Sequence, residues 1–563
     1  MKLFRAFRLA LTAVACAGLG AGHGVAHADP MSPGKHAPAA RHAAKAPHRV
    51  VPASASVAAA KSNEASERDE ALLDADAARF FLTRVGFAPD AAELAPYIGL
   101  TREAAVDKVL GEANTRAVTP SPAWAAEPTP TRAEMRVWTP EERRAEGAVR
   151  GQRYEQLREW AVREMLTTRS PLTERMTLFW HNHFTSAQDK IAYPQLMAQQ
   201  DALLRRQALG SFATMLHEVA KDPAMLLYLD GASNRKGKPN ENFAREAMEL
   251  FTLGEGHYSQ RDVSEAARAY TGWGLDPDTQ QFVFRHEQHD DGVKTVLGRS
   301  GPFDGDAVLD ILLAEPQTAT FVTTKLWREF VSETPDAAVI SPIAVRFRAS
   351  GYDIKTALRA LLLTDAFWDE RNRGVLVKSP VEFVVGTVRS LDVAYDSTTP
   401  FVGLTRNLGQ NLFYPPNVKG WPGGSIWINS TTLLARDQFV EQLFRATEAA
   451  KPSPAAAVKH EASRAMAGQA MPNAMPNAMA GGMAGPSPMQ KSPARAGAGG
   501  MRFDLSAWLA RYRTAPSEQP SLSTELQMQH AMLPIEPVDA IDVGLSSSAY
   551  LRALMMDPAY QLQ

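Results

Sequence analysis

The stretch SPLTERMTLFWHNHF (170–184) decides how this chain is read. Ser170-Pro171 marks a helix start, because serine can cap and proline suits the first helical position. At about 100° per residue, Leu172, Met176, Phe179 and Trp180 fall on one apolar face, and His183 projects into the middle of it. His181 lies about 200° from His183, on the opposite side. If the helix runs through Phe184, the two histidines cannot grip one ion. If it frays after Trp180, a spacing of two on extended backbone lets them converge. The letters HNH do not make a nuclease motif, which takes its residues from separate places along a ββα unit.

The same helical period recurs outward from this stretch. RFFL (79–82) followed by VGF (85–87) is a short helix ended by glycine. Segment 319–331 carries Phe321, Val322, Leu326 and Phe330 at helical spacing; 354–367 and 381–391 are further helices, and 549–563 is a final one. Strand signals are few. The best is QFVFR (281–285), expected to pair with KTVL (294–297) across Asp291-Gly292, a favoured hairpin dipeptide. The fold class is therefore mainly α: a multi-helix globular body with one small β-hairpin, flanked by disordered spacers.

Composition agrees with a globular body. Apolar residues make up 45% and charged residues 22% of 563, and the formal net charge of −2 argues against a nucleic-acid binder. Residues 1–28 read as a secretory signal: Lys2, Arg5 and Arg8, then an apolar run, then a small-x-small site at Ala26-His27-Ala28. No later segment is apolar for long enough to span a membrane. The single cysteine, Cys16, lies in the signal, so the mature chain has no disulfide and no thiolate. Ala13-Val14-Ala15 lacks the leucine usual in a lipobox, which disfavours a lipoprotein. Export to the periplasm or beyond is the expectation. Residues 29–66 form an Ala/Pro/His spacer, 67–449 the helical body, 450–500 a Met/Ala/Pro/Gly insertion and 501–563 a helical segment returning to the body. Spaced methionines can bind copper(I), but a flexible insertion that cannot form a core is the simpler reading.

Of thirteen histidines, the body's six fall between 181 and 289: His181, His183, His217, His257, His286 and His289. The densest paired carboxylates share that window. In NENFAREAMELFTLG (240–254), Asn240 or Asn242 can cap and Gly254 ends the helix. Asn242, Glu246 and Glu249 stack at spacings of four and three, where two carboxylates can bind a cation or divide acid and base roles. The competing reading is a solvated face. Ser259-Gln-Arg-Asp262 has capping-box form, which leaves His257 in a glycine-rich loop beside a helix start. HEQHDD (286–291) occupies the expected hairpin turn, either as polar surface or as a source of His289 and Asp290 ligands. YPPNVKGWPGGSIW (414–427) is an irregular loop whose Trp421 and Trp427 either stack on sugar rings or plug a core.

These stretches closely resemble a large bacterial family known as domain of unknown function 1800. The resemblance is carried by RVGF (84–87), FWHNHF (179–184), NENFAREAMELFTLGEGHYSQRDV (240–263), TGWGLD (271–276), HDDGVKTVLG (289–298), KSPVEF (378–383), PPNVKGWPGGSIWINSTTLLAR (415–436) and the terminal YQL. Glu246-Ala247-Met248 departs from the family's Glu-Leu-Met, and the Met-rich insertion lies outside its pattern. The resemblance implies export and a mainly helical body, but no known reaction. Family members are commonly encoded beside a second exported family that resembles sulfatases and alkaline phosphatases.

Together these readings give two expectations. In the first, a divalent metal is held by His183, His289 and Asp290, with Glu246 and Glu249 as catalytic carboxylates. His181, Asn242, His257, Trp421 and Trp427 support it or contact substrate. The protein is then a cation-dependent hydrolase of an extracellular polymer, such as a polysaccharide, or of an ester. In the second, it is a non-catalytic scaffold or maturation partner for the co-encoded sulfatase/phosphatase-like protein.

Overall fold

The computed structural model describes residues 72–450, 500–513 and 523–563. The segments read above as a signal and first spacer, and nearly all of the Met-rich stretch, lie outside these residues. The described part is mainly helical, with two small two-stranded antiparallel sheets. No helix among the described residues is long and apolar enough to cross a membrane.

Helix α1 (Ala75–Val85) starts where Asp74 accepts the Ala77 amide at 2.8 Å and stops at Gly86. It buries Phe80 and Phe81 against Phe367 and Trp368. Helix α2 (Pro140–Thr167) opens on a Thr139–Glu142 capping box. Helix α3 (Pro171–His183) carries the opening stretch. Pro171 takes the first helical position as expected, but Ser170 does not cap. Its hydroxyl accepts the Asn114 amide at 3.0 Å and meets Thr173 Oγ1 at 2.7 Å. Helix α4 (Pro194–Gln207) packs on α3 through a buried Arg205, which reaches Glu174 at 3.0 Å and Asp201 at 2.9 Å.

Helix α5 (Asn242–Glu246) continues directly into a π-helical turn, Ala247–Thr252. Helix α6 (Gln260–Ala269) begins at the expected Ser259–Asp262 capping box and buries Val263, Ala266 and Ala267. Helix α7 (Pro316–Phe330) follows the expected apolar stripe. Helix α8 (Pro380–Ser390) is buried almost all round, and α9 (Ser430–Ala450) packs against α10 (Ser547–Met556) through Arg552 and Glu441 at 2.7 Å. The last residues lie beside 376–378: the Lys378 amide donates to Gln561 O, and Gln563 N to Leu376 O.

The hairpin is paired differently from the expectation. Strand β2 (Phe282–Phe284) pairs with β1 (Trp273–Leu275), while β3 (Lys294–Val296) pairs with β4 (Arg299–Gly301). Two local turns outcompete Asp291-Gly292. Asp276 Oδ1 accepts the amides of Asp278 and Thr279 at 3.1 and 2.8 Å, closing β1 on β2. Leu297 and Gly298, at φ 47° and 76°, form a two-residue turn of the twist that antiparallel strands favour. Gly292 instead donates its amide to Asp290 Oδ1 at 2.9 Å, a local turn within the loop.

Candidate functional site

Helix α3 runs through His183 and is capped by Phe184, so His181 and His183 stay on opposite sides of it. His183 is enclosed by the rings of Phe179, Trp180, Phe184, Phe212, Phe251 and Phe321. Its Nε2 lies 3.1 Å from the Phe251 carbonyl, which can only accept, so Nε2 carries the proton. That leaves Nδ1 as an acceptor, buried and without a partner among the described residues. Burial, and then the nearby Lys325 charge, hold His183 well below the ordinary histidine range, so it is neutral. The Phe251 carbonyl belongs to the last turn of the π segment, where no helical amide follows to bind it. His183 therefore ties α3 to the π turn.

His181 packs behind the tryptophan loop, against Phe413 and Trp421. Burial lowers it to about 4, and it too is neutral. Asn182 Oδ1 accepts the Trp421 amide at 2.7 Å, and Gly420, at φ 83°, brings the loop so close that a Cβ there would collide with that Oδ1. Trp421 and Trp427 are only 4% and 6% exposed. They are packed under the loop and largely closed to bulk solvent.

The carboxylates of the α5 segment stand apart from His183, which makes no hydrogen bond or ion pair with either. Glu246 is 9% exposed and has no hydrogen-bond or ion-pair partner among the described residues. Burial, and then the Glu249 charge, push its carboxyl above the ordinary range. Glu249 accepts from Tyr258 Oη at 2.6 Å and faces Lys419 Nζ at 3.6 Å. Asn242 is spent on structure, its Nδ2 donating to Leu229 O at 3.2 Å, and His257 is exposed in its loop.

His289 and Asp290 form a third, separate group. His289 Nδ1 donates to Thr271 O at 2.8 Å and the ring packs on Phe284. Asp290 makes a fork with Arg268 at 2.8 and 3.2 Å, and that hydrogen bonding holds its carboxyl down at about 2. The expected metal ligands are thus divided, His183 being tied to Phe251 O while His289 and Asp290 are tied to Thr271 and Arg268. Among the described residues no group of three or more His, Cys, Asp or Glu side chains is placed to hold a metal ion.

Sequence reasoning missed a cavity beside His183 and the tryptophan loop. About 560 Å³ lies between α3, α7 and the tryptophan loop, lined among others by His183, Lys325, Arg328, Lys419, Trp421 and Trp427. Lys419 connects it to the carboxylate pair through Glu249. The available signal was Lys325 itself, one helical turn from Phe321 and adjacent to Leu326, at the edge of an apolar stripe.

The fold and cavity define a mainly helical protein with a polar pocket roofed by a Gly/Trp loop. The model of the family described as protein of unknown function (DUF1800) matches residues 80–562, and the chain belongs to that family. No curated protein and no solved structure matches it.

Proposed function

We propose that the protein is a hydrolase-like acid–base protein acting on an extracellular polymer or ester, with Glu246 and Glu249 as its working pair. The observation that carries this reading is Glu246: a nearly buried carboxyl without a partner, raised in pKa, three residues from a second carboxylate. Two carboxyl groups in unequal surroundings are what acid and base roles require. Glu246 keeps its proton to higher pH and gives it to the leaving-group oxygen. Glu249, oriented by Tyr258 and Lys419, takes a proton from the attacking water. Export follows from residues 1–28 as an inference from sequence.

The test is hydrolysis of a panel of chromogenic esters and acidic and neutral polysaccharides by the purified protein. E246Q and E249Q should each lower any activity found by roughly 10²–10⁴-fold with the fold intact. Activity that survives both substitutions, or no hydrolysis of any member, removes the reading. A scaffold or maturation partner of the co-encoded protein would then stand in front. It is favoured by one observation, that His181, Asn182 and His183 are all used to join elements.

A further inference from the structure

We infer that the cavity between α3, α7 and the tryptophan loop is an oxyanion site, in which Lys325 and Arg328 bind a carboxylate, sulfate or phosphate group of the substrate. This deepens the acid–base reading by naming the substrate's charge, and it rests on that reading only for the chemistry. Lys325 and Arg328 lie three apart on α7 and line the same space. Neither has an ion-pair partner among the described residues; Lys325 has only a distant ring, with Nζ 5.5 Å from the Phe321 centroid.

Of the three carboxylates in the same lining, Glu329 and Glu382 are paired with Arg175, and the third, Glu333, is exposed. Glu329, one turn from Lys325, points to Arg175 at 2.7 Å, and Glu382 pairs with the same Arg175. Glu333 lines the mouth and packs against the backbone of Gly424, where a Cβ would collide with it. Burial, and then the charge of the exposed Arg328 beside it, lower the Lys325 ammonium to about 7. A bound anion relieves that repulsion. His183 adds no third cation, because it is neutral, and its free Nδ1 offers an acceptor to a ligand hydroxyl. The indoles of Trp421 and Trp427 supply apolar wall, and the volume suits a unit of about sugar size.

The test uses the full chain and three probes, sodium sulfate, inorganic phosphate and glucuronate, against chloride at matched ionic strength. Thermal-shift and calorimetric titrations should give a saturable rise in Tm with at least one probe. K325M and R328M should each weaken that probe about tenfold or more. K325M should itself fold with a Tm at or above that of the parent, since it removes an unpartnered charge. E246Q should keep the shift in full, so that loss of hydrolysis with retained binding counts against the carboxylate pair alone. No saturable shift with any probe, or the same shift in the K325M/R328M double variant, overturns the oxyanion site. Glucuronate binding without sulfate or phosphate binding identifies the anion as a carboxylate; the converse identifies a sulfate or phosphate ester.

Discussion

At the scale of single residues, the two histidines of FWHNHF do different work although only one position separates them. His183 fills a space between six aromatic rings and donates to the Phe251 carbonyl, whereas His181 packs without a hydrogen bond to its Nε2. His183→Ala leaves a buried carbonyl unpaired and a void, which should cost about 3 kcal/mol. His181→Ala should cost less, because only packing is lost. Equal losses in chemical denaturation, or a smaller loss for His183→Ala, would contradict the assignment. The inward placement of His183 was legible from the helical wheel, because 3.6 residues per turn fixes which side chains share a face. Its partner was not legible. The wheel shows that an inward imidazole needs something polar, but it cannot distinguish a distant carboxylate from a main-chain oxygen.

At the scale of elements, helices were readable where caps and apolar stripes coincide, as at Ser259–Asp262 with Val263, Ala266 and Ala267. Two features escaped. The first is the strand Trp273–Leu275, which takes Phe282–Phe284 as its partner in place of the expected 294–297. Three-residue strands carry too little alternation to announce themselves, and the adjacent turns decide the pairing. The second is the π turn. The Leu253 and Gly254 amides both reach Met248 O, and Thr252 Oγ1 reaches Ala247 O at 2.6 Å. This widening begins just after Glu246, so Glu246 and Glu249 straddle the change of pitch. The stacking at spacings of four and three assumed a regular helix. Such turns often mark functional positions, which agrees with the carboxylates' placement here.

At the scale of the whole molecule, a buried polar network joins segments distant in sequence. Arg84 donates to the carbonyls of Phe330 and Gln563, both at 2.8 Å, and to Val331 at 3.1 Å. Arg175 bridges Glu329 and Glu382 and donates to Gly86 O at 3.1 Å, linking α3, α7, α8 and the end of α1. Arg175→Ala would leave the buried Glu382 and the half-buried Glu329 without their cation and should cost about 3 kcal/mol, seen as a lower denaturation midpoint at unchanged slope. A loss under about 1 kcal/mol, typical of an exposed pair, would contradict it. Three of the family-like stretches, FWHNHF, KSPVEF and the 415–436 loop, thus meet around one cavity. The cavity itself was invisible in the sequence, because its cations, Lys325 and Arg328, sit on a helix that reads as ordinary core and surface.

The central claim is that Glu246 is held protonated beyond the ordinary glutamate range by burial and by Glu249. A carboxyl whose folded pKa lies above its unfolded value opposes folding as pH rises from the unfolded pKa through the folded one, and below both it has no effect. Glu246→Gln should therefore match the parent in Tm at acid pH and exceed it near pH 7, where the ionised carboxylate is a burden that the amide lacks. The direct measurement is a carbon-13 NMR titration of glutamate-labelled full-length protein, with Glu246→Gln identifying the resonance. The Glu246 midpoint should lie above 4.5 and move down in Glu249→Gln. A Glu246 midpoint at or below 4.5, unmoved by Glu249→Gln, would contradict it.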